Sequence, residues 1–532
     1  MRNEHNIKVG AQGNLRPRIN IKDTIVVSAQ QMRDIEGRIF ARGMPVPALM
    51  EKAAGLCFKQ IQILYPKPKV SHVGIIVGPG HNGGDALVVA RELHLAGYQV
   101  KVYRPITKLK ELTASHAQYV ASLGIPFGEE IDILSECELI IDGLFGFGLT
   151  LSLDGKIAEA VDRLNNWGKA VVSIDLPSGI HTDTGEVLGT AVKATHTLCL
   201  GLWKQAFFQE QGVEYIGKAL KLDFGIPEAD IKAIIPENNL IQQITPQLAK
   251  QFLPLPRPQV THKYQQGSLL LICGSRRYPG AAILNALGAR ASGVGMLSVA
   301  VPESLRHLLI SQLPEALIIG CPETPSGAIA SLPLSDAELA KFDTIGSGSG
   351  LTVEAQPIIE RIINLSCPLI LDADALNIVA KLAANKMPNI WQSRAGITIM
   401  TPHLGEFKRL FPDINHPEKE RIRAVQQAAQ NSNSMVLLKG AKTVIAHPNN
   451  SVWVVPESTS ALARGGSGDV LTGLLSGLIA QQKGNLQNTF NTVALAAYWH
   501  AQAGIKAAKE RTELGVDAFT LSSYLSLVWG NN

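Results

Sequence analysis

The chain has little net charge and contains no long apolar run. Its 532 residues carry a formal net charge of +4, and its Lys and Arg residues form no cluster of five or more, so a nucleic-acid-binding arm is not indicated. Its longest apolar stretches, such as Leu269–Ile272, fall far short of the roughly 20 residues that a membrane-spanning helix needs. We therefore expect a soluble protein that binds neither nucleic acid nor membrane.

Cysteine is also scarce. The six cysteines are widely spaced and form no CxxC pair, which is typical of buried free thiols in a cytoplasmic protein. Residues 1–24 carry basic side chains but lack the apolar segment of a secretory signal. We expect these residues to form a flexible tail, with an organelle transit peptide as the alternative.

What the chain does contain is enough apolar sequence for two domains. Its length is two to four times that of a usual domain, and 46% of its residues are hydrophobic. A proline-rich passage over residues 236–258 separates two similar halves. The predicted organisation is a flexible tail over residues 1–24, a first domain over 25–240, a linker over 241–256 and a second domain over 257–532.

Both halves alternate short apolar runs with segments whose apolar residues recur every three or four positions. This alternation predicts α/β domains in which helices flank a parallel sheet. The predicted strands are Val73–Val77, Gln99–Tyr103, Glu138–Asp142, Ala170–Asp175 and Thr195–Leu200 in the first half, and Ser268–Cys273, Leu297–Val301, Thr344–Gly346, Pro368–Asp372, Gly396–Met400 and Met435–Leu438 in the second.

A glycine-rich segment, Gly78–Asp85, lies between a predicted strand and a predicted helix. Glycines let the main chain approach a ligand closely, and the amides at the start of the helix attract an anion such as a pyrophosphate. The position is the ligand-binding edge of a parallel sheet. A plain tight turn is the alternative.

Two further strand ends place polar side chains at the same edge. Asp142 begins one of these segments, and Asp175 and Ser178 belong to the other. In a parallel sheet these side chains meet Asn82 of the glycine-rich segment, and their oxygen atoms suit a hard cation. Alternatively, each Asp caps the helix that follows it.

The motifs GPGHNGGDA, DGLFGFGL and SIDLPSG, in this order, resemble the epimerase domain of the NAD(P)H-hydrate repair family over roughly residues 25–235. The resemblance implies a Rossmann-like three-layer αβα domain that binds potassium through Asn82, Asp142 and Ser178. It also implies that Asp175 is catalytic. His81 stands where the family usually has Asn. The residues implied to contact the hydrated cofactor are His81, Asn82, Gly83, Gly84, Asp85, Gly146, Phe147, Gly148 and Asp175.

The second half carries the segment Gly465–Gly473, in which Asp469 follows a run of small residues. Small residues let a loop wrap phosphate oxygens, and a helix beginning near Asp469 adds its positive end. The carboxylate can then accept a hydroxyl proton during phosphoryl transfer, as in ribokinase-like folds. The alternative is an ordinary glycine-rich helix start with an acid in the first turn.

Three other segments follow predicted strands in this half. Lys439–Thr443 offers a lysine and main-chain amides to a nucleotide, or is only a basic turn. His403 either donates to a substrate or is an ordinary core or solvated histidine. Asp372 and Asp374 either support magnesium or cap a helix.

Together with the motifs SLLLICGS and PGAAILNALGARASGVGMLSVAVP, these segments resemble the ADP- or ATP-dependent NAD(P)H-hydrate dehydratase over about residues 255–530. The resemblance implies a ribokinase-like domain in which Ala282, Gly350 and His403 contact the hydrated cofactor and Asp469 contacts the substrate hydroxyl. The nucleotide, with Mg²⁺, is implied to bind Lys439, Gly440, Ala441, Lys442, Thr443 and Gly468. Two motifs depart from the family pattern, at residues 346–350 and 262–267.

The two resemblances predict one repair pathway for hydrated NADH and NADPH. The first domain interconverts the R and S hydrates, and the second dehydrates the S form at the expense of ADP or ATP through a phosphorylated intermediate. We expect a homo-oligomer in the cytoplasm. The alternative is a ribokinase-like vitamin or sugar kinase fused to a non-catalytic dinucleotide-binding module. The sequence leaves the preferred nucleotide and the preferred hydrate open.

Overall fold

The computed structural model describes residues 21–385 and 394–530. Of the predicted flexible tail, residues 1–20 lie outside this range. Ile21–Thr24 form a short helix, and Lys221 donates a hydrogen bond from Nζ to the carbonyl oxygen of Lys22 at 2.7 Å. The start of the described chain is therefore attached to the first domain.

The first half contains nine strands and eight helices within the described residues. The strands are β1 (Val26–Val27), β2 (His72–Val77), β3 (Gln99–Tyr103), β4 (Phe127–Gly128), β5 (Leu139–Gly143), β6 (Ala170–Ile174), β7 (His196–Leu200), β8 (Trp203–Lys204) and β9 (Lys218–Leu222). The helices are α1 (Ile21–Thr24), α2 (Ala29–Ala41), α3 (Val46–Leu64), α4 (His81–Leu95), α5 (Glu111–Ser122), α6 (Gly155–Asn166), α7 (Val213–Ile216) and α8 (Glu228–Ile234).

Seven of these strands form a parallel sheet in the order β4-β3-β2-β5-β6-β7-β9. Neighbouring residues of a strand point to opposite faces. Ile75 accordingly packs with α2, α3 and α4 on one face, whereas Ile76 packs with α6 on the other. The sheet is covered on both faces, which confirms the predicted three-layer domain.

The second half contains ten strands and eleven helices within the described residues. The strands are β10 (Ile241–Gln243), β11 (Ser268–Ile272), β12 (Met296–Pro302), β13 (Leu317–Cys321), β14 (Thr344–Ser347), β15 (Leu369–Leu371), β16 (Thr398–Met400), β17 (Met435–Leu438), β18 (Val444–Ala446) and β19 (Val452–Val454). The helices are α9 (Pro246–Phe252), α10 (Pro279–Ala291), α11 (Arg306–Gln312), α12 (Asp336–Leu339), α13 (Gln356–Ile362), α14 (Ala373–Asn385), α15 (Leu404–Leu410), α16 (Arg421–Ser432), α17 (Ser467–Ala480), α18 (Thr489–Arg511) and α19 (Ala518–Leu525).

These ten strands form one sheet in the order β10-β19-β18-β17-β16-β15-β14-β11-β12-β13. Its strands pair in parallel except at β17–β18 and β18–β19, which are antiparallel. Only Lys439–Thr443 connects β17 to β18, which is too short for the crossover that a parallel pair requires. The predicted parallel α/β class is confirmed, and this antiparallel edge is an addition that the strand predictions did not include.

The stretch predicted as a linker, residues 241–256, contains β10 and α9. Strand β10 pairs in parallel with β19 of the second sheet, while Ile25 of the first half forms an antiparallel bridge to Gln242. Gln243 also donates from Nε2 to the carbonyl oxygen of Asp23 at 3.0 Å. This stretch therefore contacts both halves of the chain.

No helix among residues 21–385 and 394–530 is long and apolar enough to cross a membrane.

Candidate functional sites

The first site lies at the carboxyl ends of β2, β5 and β6. A cavity of 620 Å³ opens there. Seven of the nine residues predicted to contact the hydrated cofactor line it: His81, Asn82, Asp85, Gly146, Phe147, Gly148 and Asp175. The predicted convergence of these segments is thus present in the fold.

The remaining two, Gly83 and Gly84, are buried behind the cavity wall at the start of α4. A Cβ on Gly83 would lie 2.0 Å from the carbonyl oxygen of Gly78. A Cβ on Gly84 would lie 2.7 Å from the sulfur of Met50. Glycine is needed here for close packing of the helix start against its neighbours.

Asp175 has a strained backbone conformation, and both of its carboxylate oxygens accept hydrogen bonds. Its φ is +68°, an uncommon conformation for a residue other than glycine. Its Oδ1 accepts from Lys204 Nζ at 2.5 Å, and its Oδ2 accepts from the amide of Phe147 at 2.9 Å. The cavity therefore has a carboxylate whose orientation is fixed from two sides.

Lys204 is the fully buried partner of this carboxylate. Burial acts to lower the pKa of Lys204, but the charge and hydrogen bond of Asp175, together with the nearby Cys199 and Glu36, raise that pKa above the usual value. Nζ also donates to the carbonyl oxygen of Leu200 at 2.5 Å and lies 5.6 Å from the centre of the Phe147 ring. An ammonium group is thus fixed beneath the cavity floor.

Glu36 of α2 lines the same cavity. Burial raises the pKa of Glu36 to about 7, with Lys204 opposing this shift and Asp175 adding to it. A carboxyl group with a pKa near neutrality can both donate and accept a proton. The sequence analysis missed Glu36 and Lys204, because neither lies in a glycine-rich or aspartate-containing motif.

Asp142 and Ser178 lie side by side behind Asn82. Ser178 donates to Asp142 from Oγ at 2.6 Å and from its amide at 2.9 Å, and Ser173 donates from Oγ at 2.8 Å. Asp142 is fully buried, and burial raises its pKa despite these hydrogen bonds. In the described part of the chain no Lys, Arg or His forms an ion pair with it.

Asn82 lies across Gly146 from Asp175. A Cβ on Gly146 would lie 3.1 Å from Asn82 Oδ1 and equally 3.1 Å from Asp175 Oδ2. The side-chain nitrogen of Asn82 is buried without a hydrogen-bond partner. A ligand is expected to satisfy such a group, since buried polar atoms are rarely left unpaired.

The second site lies between the β17–β18 loop and the start of α17. A cavity of 880 Å³ there is lined by His403, Gly468 and all five residues of Lys439–Thr443. Helix α17 begins at Ser467 after Gly466, whose φ is +89°. Because this helix start directs its amides toward the cavity, the arrangement suits a phosphate group.

Asp372 and Lys439 form an ion pair close to Gly468. Lys439 Nζ lies 2.7 Å from Asp372 Oδ1, and Thr472 donates to Asp372 Oδ2 at 2.8 Å. A Cβ on Gly468 would lie 3.3 Å from Lys439 Nζ. Glycine at this position leaves a ligand free to approach the lysine.

Asp469 lies in the first turn of α17. Burial raises the pKa of Asp469 to about 7, and the neighbouring charge of Asp372 adds to this effect. Hydrogen bonding to Ser349 and the charge of Lys439 oppose it. Asp469 can therefore accept a proton near neutral pH, as the predicted role requires.

Three other residues were predicted to contact the hydrated cofactor, and only one of them, His403, borders a described cavity. His403 caps α15, because its Nδ1 accepts from the amide of Gly405 at 3.0 Å while its ring borders the cavity. Ala282 and Gly350 do not line either described cavity. A Cβ on Gly350 would lie 2.8 Å from the Cβ of Ala281, so the loop containing Gly350 packs on the start of α10.

His500 of α18 also lines the second cavity and was missed. Its Nε2 lies 2.9 Å from the carbonyl oxygen of Ser467, at the start of α17. Burial lowers the pKa of His500 to about 4. It lies in the apolar helix α18, where the sequence offers no motif that would single it out.

These features define a two-domain α/β protein with a cavity at the strand ends of the first domain and another around the β17–β18 loop of the second. Residues 46–206 match the family model of the YjeF-related protein N-terminus, and residues 269–527 match that of NAD(P)H-hydrate dehydratase.

Relatives cover nearly the whole chain. The bifunctional NAD(P)H-hydrate repair enzyme Nnr of Synechocystis sp. is 53% identical over 501 residues, which is 94% of each chain. The protein of the same name from Thermosynechococcus vestitus is 48% identical over 94% of this chain and 96% of its own. The chain therefore belongs to the family of bifunctional NAD(P)H-hydrate repair enzymes, as its motifs predicted.

A solved structure matches the second half. It is the ADP/ATP-dependent NAD(P)H-hydrate dehydratase of Bacillus subtilis, co-crystallized with ATP/Mg²⁺. The identity is 31% and the TM-score 0.45, over 53% of this chain and 95% of that one.

Proposed function

We propose that the N-terminal domain interconverts the R and S hydrates of NADH and NADPH, and that the C-terminal domain dehydrates the S form with ADP or ATP. The observation that carries this proposal is the pair of separate cavities, each with a carboxyl group of raised pKa: Glu36 lines the first, and Asp469 follows Gly468, which lines the second. The domain boundaries at residues 240 and 257 are part of the proposal.

In the first cavity, Glu36 donates a proton to the hydroxyl of the hydrated ring. The carbon–oxygen bond breaks, water leaves, and the ring-nitrogen electron pair forms a planar cation. Asp175, paired with Lys204, stabilises this cation through its negative charge. Water then adds to the other face, and the proton that it loses restores the carboxyl group of Glu36.

In the second cavity, Asp469 accepts the proton of the substrate hydroxyl as its oxygen attacks the terminal phosphorus of the nucleotide. The amides at the start of α17 and the Lys439 ammonium stabilise the transferring group. The ring nitrogen then expels phosphate, and loss of a proton from the adjacent carbon restores the dihydropyridine. Mg²⁺ bound with the nucleotide would neutralise part of the charge on its phosphates. Ala282, Gly350 and His403 are proposed to contact the hydrate.

The residues around Asp142 fit a potassium ion. They offer oxygen atoms only, from Asn82, Asp142 and Ser178, and an all-oxygen set suits a hard cation rather than zinc. The buried charge of Asp142 has no ion-pair partner in the described chain, so a cation would compensate it. One carboxylate with neutral oxygens favours a singly charged ion.

We further propose a homo-oligomer that works in the cytoplasm. The six cysteines are free, and five of them are buried. Free thiols are typical of a reducing compartment.

Incubation of the purified chain with separated R and S hydrates, each with ADP and with ATP, tests the assignment. We expect interconversion without nucleotide and recovery of the reduced cofactor only with nucleotide. Accumulation of a phosphate ester without reduced cofactor would instead identify a kinase.

A further inference from the structure

A side chain of the first domain reaches the nucleotide loop of the second. Glu210, in the segment after β8, lies against Lys439–Thr443. Its Oε1 accepts from the amide of Lys442 at 3.4 Å. Val213 of the same segment lines the second cavity. The nucleotide site is therefore built from both domains.

The partner of Glu210 is Arg421, the first residue of α16. Its side chain is 2% exposed, and its Nη1 lies 3.3 Å from Glu210 Oε2. Burial lowers the pKa of Arg421, and the charge of Glu210 opposes this shift. In the described part of the chain the ion pair of Arg421 is with Glu210 alone, so its buried charge depends on the other domain.

Arg421 holds both ends of the nucleotide loop. Its Nη2 donates to the carbonyl oxygens of Leu438 at 3.1 Å and Lys439 at 2.5 Å, and its Nε donates to that of Lys442 at 3.0 Å. One guanidinium thus fixes the backbone on which the proposed nucleotide contacts depend.

Gly440 lies directly on this ion pair. A Cβ there would lie 2.0 Å from Glu210 Oε1 and 2.3 Å from Arg421 Nη2. The loop therefore leaves room for the ion pair only because residue 440 is a glycine.

We propose that Glu210 is a positioning residue for the nucleotide site: it neutralises Arg421 and holds the loop Lys439–Thr443 in its binding conformation. This inference rests on the proposed nucleotide site. It predicts that the nucleotide affinity of the dehydratase domain depends on a carboxylate supplied by the epimerase domain.

The test compares Glu210→Gln, Glu210→Asp and the control Glu186→Gln in the full-length chain. Glu186 pairs with Lys419 at 3.0 Å across the same interface, with both side chains more than 40% exposed. We expect Glu210→Gln to raise the KM for ADP about tenfold with kcat and epimerisation little changed. Glu210→Asp should recover part of the loss, and Glu186→Gln should match the parent.

Lys439→Ala separates this inference from the proposed function. If it weakens ADP binding while Glu210→Gln binds ADP like the parent, the role of Glu210 is overturned and the site stands. An equal rise in KM in Glu210→Gln and Glu186→Gln would also overturn it, as would a fall in kcat alone. If Lys439→Ala binds ADP normally, the proposed nucleotide site itself is wrong.

Discussion

Lys204, which is fully buried, donates a hydrogen bond to Asp175 across 2.5 Å at the edge of the first cavity. A lone buried charge is costly, so each group compensates the charge of the other. Asp175 thereby presents a paired carboxylate at the first cavity. We assign proton transfer to Glu36, a further carboxyl group of the same cavity.

Asp175→Asn should slow interconversion of the hydrates at least about 100-fold, because the amide cannot stabilise a cationic ring and leaves Lys204 without its counter-charge. Dehydration of the pure S hydrate should be unchanged. The check follows a mixed pool with nucleotide until substrate stalls at the R form. Complete consumption at the parent rate would remove Asp175 from the mechanism.

Glu36→Gln should also slow interconversion and should change its pH profile. The pKa of Glu36 is about 7, and the proton donor must be protonated, so the parent rate should fall as pH rises through 7. The variant should lack this fall. Asp34→Asn is the control, since Asp34 lies exposed on the same helix and accepts a hydrogen bond from Gln30. If the rate of Glu36→Gln falls with rising pH as that of Asp34→Asn does, the role of Glu36 is contradicted.

Asp469→Asn should lower dehydration by about two to four orders of magnitude, the usual contribution of a general base. In the parent, dehydration should rise with pH through about 7, because the base acts in its ionised form. Epimerisation in the same sample serves as the control, since Glu36 and Asp175 are intact. Normal turnover of the S hydrate by the variant would exclude Asp469.

Potassium should strengthen hydrate binding in the parent but not in Asp142→Ala or Asp142→Asn. The reason is that both variants remove the charge that holds the cation. Titration of the hydrate in potassium and in a bulky organic-cation buffer measures the effect. Equal parent affinities in the two buffers would rule out the cation site.

His500 should make the chain less stable in mild acid. Its folded pKa of about 4 lies below the usual 6.5, so the unfolded chain binds the proton more readily. Stability should fall by up to about 3 kcal/mol as pH drops from 6.5 to 4. His500→Gln should lose this part of the pH dependence in denaturant unfolding at each pH. The same dependence of stability on pH in the parent and in His500→Gln would contradict this prediction.

The strand ends were predictable because buried parallel strands appear as short apolar runs. Gln99–Tyr103 and Met435–Leu438 match the structure at both ends. The predicted convergence of Asn82, Asp142, Asp175 and Ser178 followed from the same rule about parallel sheets.

Other parts of the sites depend on contacts that no local pattern encodes. Glu36 comes from a helix that precedes the glycine-rich segment, and Lys204 belongs to β8, two strands after β6, the strand that precedes Asp175. Glu210 acts on a loop more than 220 residues further along the chain. The contacts of Glu36 and Lys204 appear only once the first domain has folded, and that of Glu210 only once the two domains pack together.

Strand β10 limits where this protein can be divided into working halves. Its residues complete an edge of the second sheet while Ile25 and Asp23 bind them from the first domain. A cut after residue 240 would leave the first fragment with exposed backbone at Ile25, and a cut after 243 would strip the second fragment of its outermost strand. Fragments prepared by either cut would differ from the intact chain for reasons unrelated to catalysis.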